Sequence, residues 1–247
     1  MSQSGKTLLV LGGTSDIGRA TARAFAARGW TILCAGRNRE GLQREVDDIT
    51  ARYGVEATVH RFDVLDTITF TAFVDSLPRL PDVVISVVGL LGEQATAETD
   101  LDHATTIIRV NFEGPALILG LFAERFLARG SGTIVGVSSV AGDRGRASNY
   151  VYGSAKSGLT EFLSGLRNRT AKRGVHVVTV KPGFVRTRMT EGMKLAGPLT
   201  VEPSVVGEAI MSAVVRQSDV IYVAHVWWLV MAIIRCVPER VFKKLPI

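Results

Sequence analysis

Short apolar runs take turns along this chain with longer segments whose apolar positions recur three and four residues apart. The runs are TLLVLGG (7–13), TILCAG (31–36), VEATVHRFDV (55–64), PDVVISVVG (81–89), GTIVGVSS (132–139), VHVVTVKPG (175–183) and DVIYV (219–223). Most are apolar without period-two alternation, which predicts strands covered on both faces, as in a parallel sheet. Between them, 17–29 has helical spacing and a glycine stop, 38–53 predicts a polar helix stopped by Gly54, and 66–77 a helix ending at Pro78. Longer helices are predicted over 101–128, 150–173 and 203–216. Strict alternation of strand and helix, with no repeat or linker, predicts a single α/β domain. It is a Rossmann-type doubly wound parallel sheet with helices on both faces. Its extent is 1–224, and an apolar, basic helical extension follows over 225–247.

Composition narrows the class only slightly. At 247 residues with 47% hydrophobic and 21% charged, the chain can bury a large core and is not disordered. Basic residues are scattered until the C-terminus, so the net charge of +6 gives a nucleic-acid role no support. Cys34 and Cys236 lie in apolar runs without metal-ligand spacing. They predict buried thiols in a reducing compartment, with no disulfide and no metal site. The apolar run near the N-terminus is too short for a signal peptide, so the expected location is cytoplasmic.

In doubly wound sheets ligands bind beyond the C-terminal ends of the strands. The first such end reads GGTSDIG (12–18), placing Gly12, Thr14, Ser15, Asp16, Ile17 and Gly18 at a strand-to-helix turn. Glycines there let backbone approach a pyrophosphate, and the helix N-terminus offers free N–H groups. The second strand ends in AGRNRE, with Arg37 where NAD-preferring folds carry an acid. An arginine there would pair with a 2′-phosphate, which favours NADP(H) over NAD(H). Asp63, at the end of RFDV, is placed to accept from an adenine amino group or to cap a turn. In NYVYGSAKSG (149–158), Tyr152 and Lys156 are four apart and share a helix face, whereas Tyr150 points elsewhere.

Taken in order, the glycine-rich turn, the strand-terminal Asp, VNFEG, VSSVAG, Y-x-x-x-K and KPGFVRT resemble the short-chain dehydrogenase/reductase family over about residues 6–190. The resemblance implies Asn111, Ser139, Tyr152 and Lys156 as the catalytic set. Ser139 is chosen over Ser138 because it lies thirteen residues before the tyrosine. It further implies cofactor contacts at Val64, Gly89, Pro182, Gly183, Val185 and Thr187, as well as at Tyr152 and Lys156. In that reading a ketone receives hydride from nicotinamide while Tyr152 donates a proton. Ser139 holds the carbonyl oxygen, and Lys156 lowers the phenol pKa and holds the ribose. Asn111 anchors a water leading protons in. The chain departs from the family at Leu11, at Asp16 and at SVVG (86–89), where only Gly89 fits, which puts cofactor contacts by the side chains of 86 and 87 in doubt.

The extension is the other departure. Its residues 225–237, if helical, span about 20 Å, short of a membrane core of about 30 Å. Trp227 and Trp228 stand at one end. After Pro238, which can start a second helix, Val241, Phe242 and Leu245 oppose Arg240, Lys243 and Lys244. Two readings stay open: a peripheral anchor on the inner face of an anionic membrane, and a buried helix or homo-oligomer interface. With VVGLLG and GGTSDIG, the tail is similar to reductases of polyprenyl-phosphate-linked keto-pentoses. That implies a lipid-linked sugar ketone, with a long-chain keto lipid as the competing substrate. Outside the reductase class stand a non-catalytic dinucleotide sensor or scaffold and a sugar-nucleotide epimerase or dehydratase. The complete Asn–Ser–Tyr–Lys set argues against the sensor, and the short stretch after KPG leaves little room for the substrate domain an epimerase needs.

Overall fold

The computed structural model describes residues 5–193 and 196–245. In chain order the elements begin β1 Thr7–Leu11, α1 Asp16–Ala26, β2 Thr31–Gly36, α2 Arg39–Tyr53, β3 Ala57–Arg61, α3 Phe70–Asp75 and β4 Val83–Ser86. They continue through α4 Gln94–Ala97, α5 Leu101–Ile108, α6 Gly114–Arg129, β5 Gly132–Val137, α7 Tyr150–Thr170 and β6 Val175–Pro182. The last are β7 Phe184–Val185, β8 Thr200–Val201, α8 Pro203–Arg216, β9 Val220–Val223, α9 Val226–Cys236 and α10 Glu239–Phe242.

Seven strands form one parallel sheet in the order β3-β2-β1-β4-β5-β6-β9, and β7 pairs with β8 as a separate two-stranded ribbon. All five residues of β1 are buried because alternate side chains enter different cores. Leu8 and Val10 join Phe25, Trp30 and Ile210 on the face covered by α1, α2 and α8. Leu9 and Leu11 join Phe122, Phe126 and Leu163 on the face covered by α3, α6 and α7. Continuous apolar strands are thus the mark of a sheet with no wet face. The strand order reverses between β1 and β4, which opens a crevice at their C-terminal ends.

Three sequence expectations shift locally. The 66–77 helix is only α3, preceded by a 3₁₀ turn at Thr67–Thr69. The 101–128 helix is a continuous helical run, but it loosens into a π turn at Arg109–Glu113, between α5 and α6. Such widened turns are frequent at functional sites, and this one carries Asn111. Cys34 is buried as expected, but Cys236, near the open end of α9, is exposed.

The extension packs onto the domain. Trp227 and Met231 of α9 bury against Val140, Phe184 and Leu199, while Trp228, Leu229 and Ile233 face outward. A helix apolar all round therefore divides into a buried stripe and an exposed one. Arg144 ties its end down, donating to the carbonyls of Ile234 (2.9 Å) and Val237 (2.6 Å). Its guanidinium lies 3.9 Å from the centroid of the Phe242 ring. That buries Phe242, so only Val241 and Leu245 remain on the apolar face expected after Pro238.

Candidate active site

The glycine-rich turn is built by its own hydrogen bonds. Gly12 N and Gly13 N both donate to Ala35 O (2.9 and 3.0 Å), which pulls the turn against the end of β2. Ser15 caps α1: its Oγ donates to Gly12 O (2.8 Å) and accepts from Gly18 N (3.0 Å). A Cβ on Gly18 would lie 2.4 Å from Gly12 O, so only glycine lets the helix start this close to the strand. Gly12 has φ +94°, in the left-handed region.

Asp16 departs from the family pattern, and the fold accounts for it. Its carboxylate accepts from Arg188 N (2.9 Å) and Nε (3.2 Å), and Arg188 Nη2 donates to Thr14 O (2.6 Å). The pair joins the glycine-rich turn to the segment after β7.

Two adjoining cavities line the crevice. The first, about 330 Å³, runs from the glycine-rich turn past Arg37 to Phe62, Val64 and Val110. The second, about 140 Å³, holds Ser139, Tyr152 and Lys156 with Pro182, Gly183 and Thr187. Val87, Val88, Gly89 and Met189 line both. Ser86 is buried at the end of β4, and Val87 offers an apolar wall in place of a polar contact. Asp63 does not line either cavity. Its carboxylate accepts from Leu65 N (3.0 Å) and caps a turn. Val185 is buried in the β7–β8 ribbon, and Ile17 reaches the second cavity from α1.

Tyr152 and Lys156 project from one face of α7, with the ammonium 5.7 Å from the centroid of the phenol ring. Lys156 Nζ donates to Val137 O (3.0 Å) at the end of β5. Ser139 Oγ accepts from Ala141 N (3.1 Å), and Ser139 lines the same cavity as Tyr152. Ser138 is committed elsewhere, donating to Lys156 O (2.8 Å) beside Thr160 Oγ1 (2.7 Å). Asn111 is buried on the π turn. Its Nδ2 donates to Leu90 O (2.6 Å) and Ile107 O (2.8 Å), and its Oδ1 accepts from Leu90 N (3.2 Å). Gly89 brings the two regions together, since a Cβ there would lie 3.2 Å from Asn111 Oδ1 and 3.6 Å from Lys156 Nζ.

The electrostatics correct one expectation. Burial pushes the half-buried Tyr152 phenol up to about 12, outweighing the lowering effect of the Ser139 side chain. Burial likewise pushes the Lys156 ammonium down to about 8. Desolvation disfavours both charged forms. With Nζ turned to a carbonyl, the lysine does not bring the phenol below its ordinary value.

A family model described as short chain dehydrogenase matches residues 6–196. The chain belongs to this family. An uncharacterized oxidoreductase of Mycobacterium tuberculosis is 36% identical over 97% of this chain and 96% of its own. Among solved structures, a candidate NAD(P)-dependent gluconate 5-dehydrogenase from Beutenbergia cavernae with bound NADP has a TM-score of 0.81 at 25% identity. It covers 92% of this chain and 98% of that one. An actinorhodin polyketide ketoreductase with NADPH has a TM-score of 0.77 at 25% identity, over 90% and 97%. The protein is an oxidoreductase of the short-chain dehydrogenase/reductase type.

A dinucleotide fits this short-chain dehydrogenase by its own geometry. Gly12, Thr14 and the α1 cap Ser15 line the larger cavity together with Gly36, Arg37 and Asn38 at the end of β2, and the Arg37 side chain is exposed. Three features shape the smaller cavity, and of their residues only Gly183 was named from the sequence as part of the site. Trp227 closes it, its Nε1 donating to Leu199 O (3.0 Å). Gly183 makes room, because a Cβ there would sit 1.9 Å from that nitrogen. Arg146 and Asn149 also line it.

Proposed function

We propose that this oxidoreductase reduces a ketone to a secondary alcohol, with NADP(H) preferred over NAD(H), Tyr152 as proton donor and a hydrophobic or lipid-linked substrate. The observation that carries the reading is one crevice with the glycine turn and Arg37 at one end and the Ser139–Tyr152–Lys156 cluster at the other. The dinucleotide, when bound, supplies hydride. The protein's own groups do the rest. Tyr152 is protonated at neutral pH and can give its proton to a carbonyl oxygen. Ser139 donates to the same oxygen and stabilises its growing charge. Lys156 holds a ribose hydroxyl and the phenol's orientation. Asn111 fixes the Leu90 backbone and the loosened helix from which a proton path would start. The solved relatives with NADP or NADPH support the cofactor choice.

Arg37 tests that choice. Arg37→Ala is expected to weaken NADPH by roughly ten- to a hundredfold, the worth of a charge-assisted contact, and NADH far less. Fluorescence titration of both cofactors reads the difference, and equal losses would refute the assignment.

The lipid part of the proposal rests on Trp228, Leu229 and Ile233, exposed on α9, and on exposed Arg240, Lys243 and Lys244 nearby in the chain. An apolar stripe beside basic residues suits an anionic membrane surface, which would place the substrate entrance under Trp227 at the interface. At about 1 kcal/mol per basic residue, replacing the three by glutamine should cost about two orders of magnitude in binding to anionic liposomes. The residual binding should depend little on salt. If the parent does not float with anionic liposomes at low salt, the membrane reading fails. Light scattering on a Trp228 variant then asks whether the stripe is an interface between copies.

A further inference from the structure

In the smaller cavity, Arg146 has no counter-ion among the described residues. Arg146 stands in the loop before α7 and lines the wall that Tyr152 and Lys156 line. Its Nη2 donates to the thioether of Met231 (3.3 Å), a weak acceptor, and its Nε is buried without a partner. The acid that acts on it, Asp143, is already engaged. Lys181 Nζ donates to Asp143 Oδ1 (2.5 Å), and the Tyr222 hydroxyl donates to Oδ2 (2.7 Å). Among the described residues no carboxylate forms an ion pair with Arg146. Asn149, at the start of α7, likewise keeps a buried Oδ1 without a partner in the same cavity.

A guanidinium stays charged in proteins, so its burial is a cost that pairing must offset. Desolvation lowers the Arg146 pKa more than Asp143 raises it, as expected of a charge short of partners. The remaining walls include Val87, Phe184, Met189 and Trp227, and in such apolar surroundings any charge pair is strengthened. A solvated surface arginine would need no explanation. A half-buried one that shares a cavity with the proton donor, its Nε buried without a partner and a second unpaired polar atom lining the same cavity, does.

We propose that Arg146, with Asn149, is the specificity-determining pair of this cavity and receives an oxyanion carried by the ketone substrate, either a carboxylate or a phosphate ester. The inference rests on the ketone-reductase reading above and adds the class of ketone to it. The planar guanidinium fork suits two oxygens of either group, and Asn149 Oδ1 takes a hydroxyl hydrogen beside them. A phosphate ester is also the linkage by which a sugar ketone would hang from a lipid, so the carboxylate and phosphate sources need separate arms.

The test compares matched ketones in the full-length protein with NADPH: acetoacetate against its methyl ester, and dihydroxyacetone phosphate against dihydroxyacetone. The parent should favour the charged member of one pair by roughly 10- to 100-fold in kcat/KM, the scale of a charge-assisted contact. Arg146→Met should bring that ratio close to one, and Arg146→Lys should restore part of it. The favoured pair identifies the oxyanion. A parent ratio at or below one in both pairs, or a ratio unchanged in Arg146→Met, overturns the proposal. Calorimetric titration with 3-hydroxybutyrate and glycerol 3-phosphate answers without turnover. Binding of one of them by the parent, lost at least tenfold in Arg146→Met, supports the anion site even if no ketone is reduced, in which case the reductase reading fails alone. Binding of neither by the parent, or equal binding by the variant, sinks the anion site.

Discussion

Tyr152→Phe is expected to lower turnover of a ketone by at least about 10²-fold, the lower end of what a positioned general acid contributes. The substitution keeps the ring and its packing on α7 and deletes the hydroxyl that shares the smaller cavity with Ser139. Because burial holds the phenol up to about 12, the hydroxyl carries its proton throughout the neutral range and is competent to donate it. Lys156 does not take its place, since its Nζ is turned to the Val137 carbonyl. NADPH affinity should change little, because the larger cavity and the glycine turn are untouched. Steady-state loss of reduced-nicotinamide absorbance measures the first quantity and fluorescence titration the second. A variant with near-parental turnover would remove Tyr152 from the chemistry.

Lys156→Met is expected to move activity and stability in opposite directions. The side chain is 3% exposed and its ammonium is pushed down to about 8 by burial alone. Below pH 8 the lysine is charged in both the folded and the unfolded chain, and the burial cost is fully present. As pH rises from about 8 towards the ordinary lysine value of 10.5, the folded chain gives up the proton while the unfolded chain keeps it. The unfolded state then binds more protons, so the parent gains stability across that window. At about 1.4 kcal/mol per pKa unit the cost at neutral pH is roughly 2–4 kcal/mol, partly offset by the bond to Val137 O. Methionine removes the cost, so thermal unfolding at neutral pH should shift upward by several degrees and lose its rise above pH 8. Turnover should fall by about 10²-fold or more, since a hydrophobic side chain cannot position the phenol or hold a ribose. For the parent, kcat/KM for reduction should decline as pH passes about 8 and Lys156 loses its charge. If the methionine variant unfolds at a lower temperature, the ammonium is not the buried cost described here.

The alternation of strands and helices was legible from the chain alone, because covered parallel strands must be apolar on both sides and helices must repeat every three to four positions. The helix stop at Gly54 and the β2 end at Gly36–Arg37 were local in the same sense, set by φ and by the nearest neighbours in sequence. The spacing of Tyr152 and Lys156 also needed only a helix to put them together. What the chain could not disclose was set by contacts between distant segments. Asp16 reads as an odd substitution until Arg188, 172 residues on, is seen bonded to it. Arg146 has nothing local to mark it as a cavity residue, and its Met231 contact spans 85 residues. The tail read as apolar all round, yet Gly183 and Phe184 receive one stripe and leave the other outside. The protonation of Tyr152 and Lys156 depended on the same thing. Spacing predicts a lysine that lowers a phenol, but the sign of each shift comes from how much water the surrounding elements exclude, and only the assembled fold sets that.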